Sequence, residues 1–113
     1  MDPAYRVAES AGLRAVERHG VVLIGIADAP AFAEACGGLG YAILGIDGFT
    51  LHDDGALQPI GDAILDSSDC LSPDWAATVR RATGAAAAFL RTIGELPVTH
   101  VEFVLAERPP MPA

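Results

Sequence analysis

The sequence predicts an α+β domain: a mainly antiparallel sheet of about four or five strands with one long helix packed on one face. Three observations predict it. From Trp75 through Val79, Ala82, Ala86, Phe89 and Leu90 to Ile93, apolar residues recur at helical spacing. From Thr99 to Leu105 the chain alternates, with Val101, Phe103 and Leu105 on one side. Between Tyr41 and Asp69, two apolar runs flank an Asp54-Gly55 turn signal, which is the pattern of a hairpin. Helix and strand alternate over the first part of the chain, so a parallel doubly wound sheet is the runner-up.

With 113 residues, 51% of them hydrophobic, the chain has material for one core, and we read residues 1–113 as a single domain with 1–4 and 107–113 as frayed termini. No apolar run reaches the roughly 20 residues of a membrane span, and no basic segment precedes a long apolar one at Met1. The expectation is a soluble, unprocessed protein.

Taken in order, Asp2-Pro3 is a helix-start signal, and Tyr5, Val7, Ala8, Ala11, Leu13, Ala15 and Val16 follow at spacings compatible with one apolar face. This helix is expected to run to Gly20, with His19 near its end. Val21 to Ile26 is an uninterrupted apolar run of the kind seen in strands covered on both faces. Asp28 is placed to cap a short helix through Pro30, Phe32 and Ala35, stopped by Gly37 and Gly38.

Tyr41 to Leu51 reads as a strand. Asp54-Gly55 suits a type I′ turn, which needs positive φ, and Asp47-Gly48 then becomes a bulge or kink inside one long strand. Pro59 cannot donate to a ladder and sends the return strand to an exposed edge. Ala63-Ile64-Leu65 is a further strand or extended piece. Ser72-Pro73-Asp74 starts the long helix, from Pro73 to Ile93, with serine as the cap. The run Gly84 to Ala88 lets that helix lie close to a sheet. Arg108 to Ala113 reads as a tail.

Charge separates the chain into zones. The net charge is −8, and every basic residue is an arginine: Arg6, Arg14, Arg18, Arg80, Arg81, Arg91 and Arg108. Between Arg18 and Arg80 there is no arginine or lysine but a series of acids, among them Asp47, Asp53, Asp54, Asp62, Asp66 and Asp69. That stretch argues against nucleic acid or anionic lipid as a ligand and suits a partner with a basic surface. The alternative is that the acidity serves solubility alone.

No catalytic constellation emerges. His52 beside Asp53 and Asp54 is the most suggestive group, but a hairpin tip is solvated and supplies no nucleophile. His19 reads as a helix-end residue and His100 points outward. Asp62, Asp66 and Asp69 lack the spacing of a calcium loop, so no metal or cofactor is expected. Gly37 to Gly40 imitates a phosphate cradle, but a strand follows it where such a cradle needs a helix. Cys36 and Cys70 have no metal-ligand or C-x-x-C spacing and are expected as reduced thiols in a cytoplasm, a single disulfide being the alternative.

Ile43-Leu44-Gly45-Ile46-Asp47, the Asp54-Gly55 hairpin, Pro59, Asp62, the long helix and the closing Val101-Glu102-Phe103-Val104 strand resemble the immunity protein 40 family of bacterial polymorphic toxin systems. The resemblance spans roughly residues 8 to 106 and rests on Gly45 and Asp47 at a strand end and on Asp62 after the proline; the aromatic the family carries after that aspartate is replaced by Ala63-Ile64. It implies a cytoplasmic protein that neutralises a cognate toxin by binding, without catalysis or cofactor. The expected partner-facing residues are Asp47, Asp53, Asp54, Asp62, Asp66 and Asp69. Two alternatives come from other classes. One is a small enzyme or ligand-binding protein with a pocket bounded by Asp47, His52 and Asp62; the other is a homo-oligomer, such as a dimer, pairing its hairpin edge.

Overall fold

A computed structural model describes residues 2–109. Its order of elements is α1 (Pro3–Ala11), β1 (Ala15–Arg18), β2 (Val21–Gly25), α2 (Ala29–Gly38), β3 (Ala42–Leu51), β4 (Leu57–Asp66), α3 (Trp75–Thr92) and β5 (His100–Ala106), with single 3-10 turns after β4 and α3. The five strands form one sheet in the order β1-β2-β5-β3-β4, and every neighbouring pair is antiparallel. The parallel alternative is thereby excluded. The three helices lie on one face of the sheet, over a core in which Val7, Phe32, Cys36, Ile43, Ile46, Ala82, Ala86, Val101 and Phe103 are buried.

The first helix is shorter than its apolar spacing suggests. Gly12 takes φ 68°, and the Leu13 amide reaches back to the Ala8 carbonyl at 2.8 Å, so the chain leaves the helix before Leu13, Ala15 and Val16, which seemed to continue it. Ala15 to Arg18 then form β1, paired with β2 through a two-residue turn in which His19 and Gly20 have φ of 53° and 78°. Positive φ at both positions makes this a type I′ turn, which matches strand twist. His19 is therefore a turn residue, not a helix-end residue. At the same end of the chain, Asp2 accepts the Ala4 amide at 2.9 Å and Ala4 is buried, so residues 2–4 belong to the helix and its cap instead of fraying. Of the expected tail, 110–113 lie outside the described residues, as does Met1.

The Asp54-Gly55 turn also differs in type. Only Gly55 has positive φ, at 90°; the His52 amide bonds to the Ala56 carbonyl, and the Asp54 carboxylate accepts the Ala56 amide. This is a three-residue loop closed by a left-handed glycine, in which aspartate serves as a local acceptor. Gly48 sits at the expected irregularity. Between the pairs Asp47 with Ile64 and Phe49 with Pro59, one residue of β3 stands opposite residues 60–63 of β4. β4, with Pro59 in it, is an edge strand.

That bulge bends the hairpin arm out of the sheet plane. Leu23 alternates with the core residues Val22 and Ile24, so its side chain points to the face without helices, yet it is fully buried. The arm supplies the cover: Leu51 shares a cleft with Val16, Arg18, Gly25 and His100, and His19 Nε2 lies 3.4 Å from the Gly55 carbonyl oxygen. The run Val21 to Ile26 is covered on both faces as expected, by helices on one side and by its own sheet's hairpin on the other.

The long helix begins at Trp75, with Asp74 as its cap accepting the Ala77 amide at 3.2 Å; Ser72, the expected cap, instead bonds the Asp74 carbonyl and Thr78. Asp28 occupies the cap position of α2 but makes no side-chain capping bond. Ala82 and Ala86 carry the close approach of α3 to its neighbours, whereas Gly84 and Ala88 face solvent.

Candidate functional site

Three helices use up one face of the sheet and the hairpin arm covers β1 and β2 on the other, so the open surface is the outward face of β5, β3 and β4. Register puts its side chains in rows. Val104, Gly45 and Asp66 form one row, and Glu102, Asp47 and Ile64 the next; His100, Phe49 and Pro59 form a third at the base of the arm. Ile64 and Val104 are 58% and 47% exposed, which is unusual for β-branched residues in a sheet. Two large apolar side chains thus stand in water beside three carboxylates.

The carboxylates differ in environment. Asp47 and Glu102 are half-buried and directly opposite one another on adjacent strands. Burial raises the Glu102 carboxyl above its ordinary value, and the neighbouring Asp47 charge adds to the rise. Asp66 behaves in the opposite way: the Ser68 hydroxyl and amide both donate to it, at 2.6 and 3.0 Å, and hold its carboxyl below the usual range. Glycine at position 45 keeps the first row flat, since a Cβ there would sit 3.1 Å from the Leu65 carbonyl oxygen.

A raised folded-state value means that Glu102 binds its proton more tightly in the native chain than in the unfolded one. Its stabilising contribution is complete below the unfolded value and is lost as pH rises through the folded one. Glu102→Gln removes both that loss and the like-charge pair, so near neutral pH it should stabilise the domain by about 0.2–1 kcal/mol. The gain should shrink in acid. Urea melts at two pH values check it, and an equal change at both would mean that the pair carries no strain.

The expected partner-facing residues do not form one cluster. Asp47 and Asp66 share the outward face, and Asp62 lies exposed in the bulge at the β4 edge. Asp69 is exposed in the 3-10 turn after β4. Asp53 and Asp54 are at the tip of the arm, which the bend carries toward His19. The arm also brings basic groups into the region that looks purely acidic in sequence: Arg14, Arg18 and His100 line the cleft beneath it together with the acid Asp28, and burial together with Arg18 lowers the His100 value. Glu102 went unnoticed in the sequence because a single alternating strand does not say which carboxylate it will face.

Of the residues of the alternative pocket, Asp47 is half-buried on the outward face, Asp62 is exposed in the bulge, and His52 stands near the tip of the arm. His52 is exposed and its Nε2 lies 2.9 Å from Gln58 Oε1, a contact across the hairpin. The Cys36 thiol is buried and pushed up to about 12 by desolvation; Cys70 is half-buried, and both are free. Among the described residues, no group of three or more His, Cys, Asp or Glu is placed to hold a metal ion, and no helix is long and apolar enough to cross a membrane.

A further depression lies elsewhere, at the end of the sheet where β3 begins and β5 ends. Gly37, Gly40, Asp74, Trp75, Val79, Arg80 and Arg108 line a cleft of about 560 Å³, and a second of about 440 Å³ continues it past Tyr41 to Arg6 and Glu107. Comparison of the chain with protein-family models, with curated proteins and with solved structures finds no match.

Proposed function

We propose that this chain is a cytoplasmic immunity protein of a bacterial toxin system, which neutralises its toxin by docking the outward face of β5, β3 and β4 on a basic protein surface. The observation that carries the reading is the second row of that face, where the half-buried pair Asp47 and Glu102 adjoins the exposed Ile64. An apolar anchor beside desolvated carboxylates is what a partner bearing arginine and apolar groups recognises. Asp62, Asp66 and Asp69 extend the negative field along the same edge, and Asp53 and Asp54 add to the attraction at longer range. The resemblance to the immunity protein 40 family supports the toxin as partner, and Gly45 and Asp47, two of the residues that carry it, lie within this face. Binding alone blocks a toxin, so the reading needs neither a catalytic group nor a cofactor.

The test is binding kinetics, at two ionic strengths, against the product of the toxin gene beside this chain's own. Ile64→Lys should weaken the complex tenfold or more, about 1.4 kcal/mol, chiefly through faster dissociation. Replacing Asp53 and Asp54 together by asparagine should slow association and flatten its salt dependence. If Ile64→Lys and Asp47→Asn both leave a bound partner's kinetics unchanged, or if no toxin gene adjoins, the reading fails.

A further inference from the structure

The trough around Trp75 lies in a part of the molecule that the toxin-binding reading does not use. The two depressions share Gly40, Trp75 and Arg108, so they form one groove around the chain's single tryptophan. Three elements far apart in sequence each bring an arginine to it: Arg6 from α1, Arg80 from α3 and Arg108 from the segment after β5. These are three of the seven arginines in a chain of net charge −8. Their gathering at one groove runs against the charge of the rest of the molecule. Arg6 and Arg80 are exposed, and neither makes a hydrogen bond or ion pair to another described side chain. Of the two acids in the lining, Asp74 has its carboxylate engaged at the Ala77 amide, and Glu107 is exposed.

The groove also has a rigid aromatic wall. The Trp75 indole N–H donates to the Gly40 carbonyl at 2.9 Å, which fixes the ring, and the side chain is only half-buried. Tyr41 and Val79 close the apolar side behind it. Gly40 has φ 81°, and a Cβ built there meets nothing within 4 Å; the bend that presents the carbonyl to Trp75 favours glycine, which also leaves the groove open at that point.

We propose that this groove binds a small organic anion with a planar ring, the ring lying against Trp75 and the phosphate or carboxylate held by Arg80, with Arg6 adding positive field from the adjoining depression. The physical reasons are complementary. A guanidinium is a forked donor that matches both oxyanions, and a fixed indole gives stacking area without ordering cost. A volume of about 560 Å³ falls in the range of small-molecule sites, and apolar walls with a few convergent polar groups are their usual make-up. The groove is separate from the outward sheet face, so its occupation does not compete with docking there.

Trp75 is its own reporter, because it is the chain's only tryptophan. Fluorescence titrations with adenosine monophosphate, phenyl phosphate and benzoate should show, for at least one of them, a saturable change with a midpoint below about 1 mM. Inorganic phosphate and adenosine, each carrying only half of the recognition, should bind at least tenfold more weakly than the matching probe. Arg80→Ala should raise the midpoint about tenfold and Arg6→Ala by a smaller factor, and Arg91→Ala, near the far end of α3, should not move it. The same titrations followed on the Trp75 indole proton by NMR separate binding from inner-filter artefacts. No saturable response to any of the three ring-bearing probes would overturn the proposal. So would equal weakening by Arg91→Ala, which would reveal non-specific charge attraction.

Discussion

Phe32→Ala should destabilise the domain by about 3–5 kcal/mol, the largest single effect expected in this chain. Phe32 has no exposed surface, and its ring centroid lies 4.5 Å from that of Phe103 with the planes tilted by 37°. This contact joins α2 to β5, the middle strand of the sheet. The helices and strands around it are held by their own backbone bonds and cannot collapse into the space the ring leaves, so the cavity term adds to the lost transfer energy. Urea unfolding followed by far-UV circular dichroism measures the change. A loss below about 1 kcal/mol would mean that α2 is loosely seated and that Phe32 is not part of the core.

Gly48→Ala should cost about 1–3 kcal/mol, for the opposite reason. A Cβ at position 48 would lie 2.5 Å from the Ala63 Cβ, 3.1 Å from Val98 Cγ2 and 3.2 Å from the Ala63 carbonyl oxygen. Two of these atoms belong to a backbone or to a Cβ fixed by it, so a strand must move. The movement would open the bulge that bends the hairpin arm over Leu23. Limited proteolysis at the 52–56 loop should therefore quicken in the variant, alongside the loss in the urea midpoint. Retained stability and an unchanged cleavage rate would show that β3 and β4 separate freely at that point.

Much of the fold was legible in local sequence. The stripe from Trp75 to Ile93 repeats over five turns and has no competing reading, and the alternation from Thr99 to Leu105 is equally clear. Pro59 marked β4 as an edge because a missing donor cannot be hidden inside a ladder. The same local logic failed at β1. Leu13, Ala15 and Val16 fit helical spacing as well as strand alternation, and a stretch this short leaves the choice to its surroundings. Gly12 held the answer, since a left-handed glycine closes the helix there, but glycine also occurs within helices and does not decide alone. The turn at His19-Gly20 escaped notice because histidine takes positive φ less often than the Asn or Asp that usually marks a type I′ turn.

The sequence by itself determined the class of the domain, its long helix, its edge strand and the acidic composition of its middle, because each depends on periodicity, proline chemistry or charge within a few residues. Only the tertiary structure decided which of these residues meet. Glu102 faces Asp47 because β5 lies between β2 and β3, an order set by long-range packing. Arg14 and Arg18 come beside the hairpin arm because a bulge bends it, and Arg6, Tyr41, Trp75, Arg80 and Arg108 share a groove although they are spread over almost the whole chain. Spacing along a chain fixes which side of an element a residue occupies, whereas the neighbours of that side follow from how the elements pack to bury their apolar surfaces together.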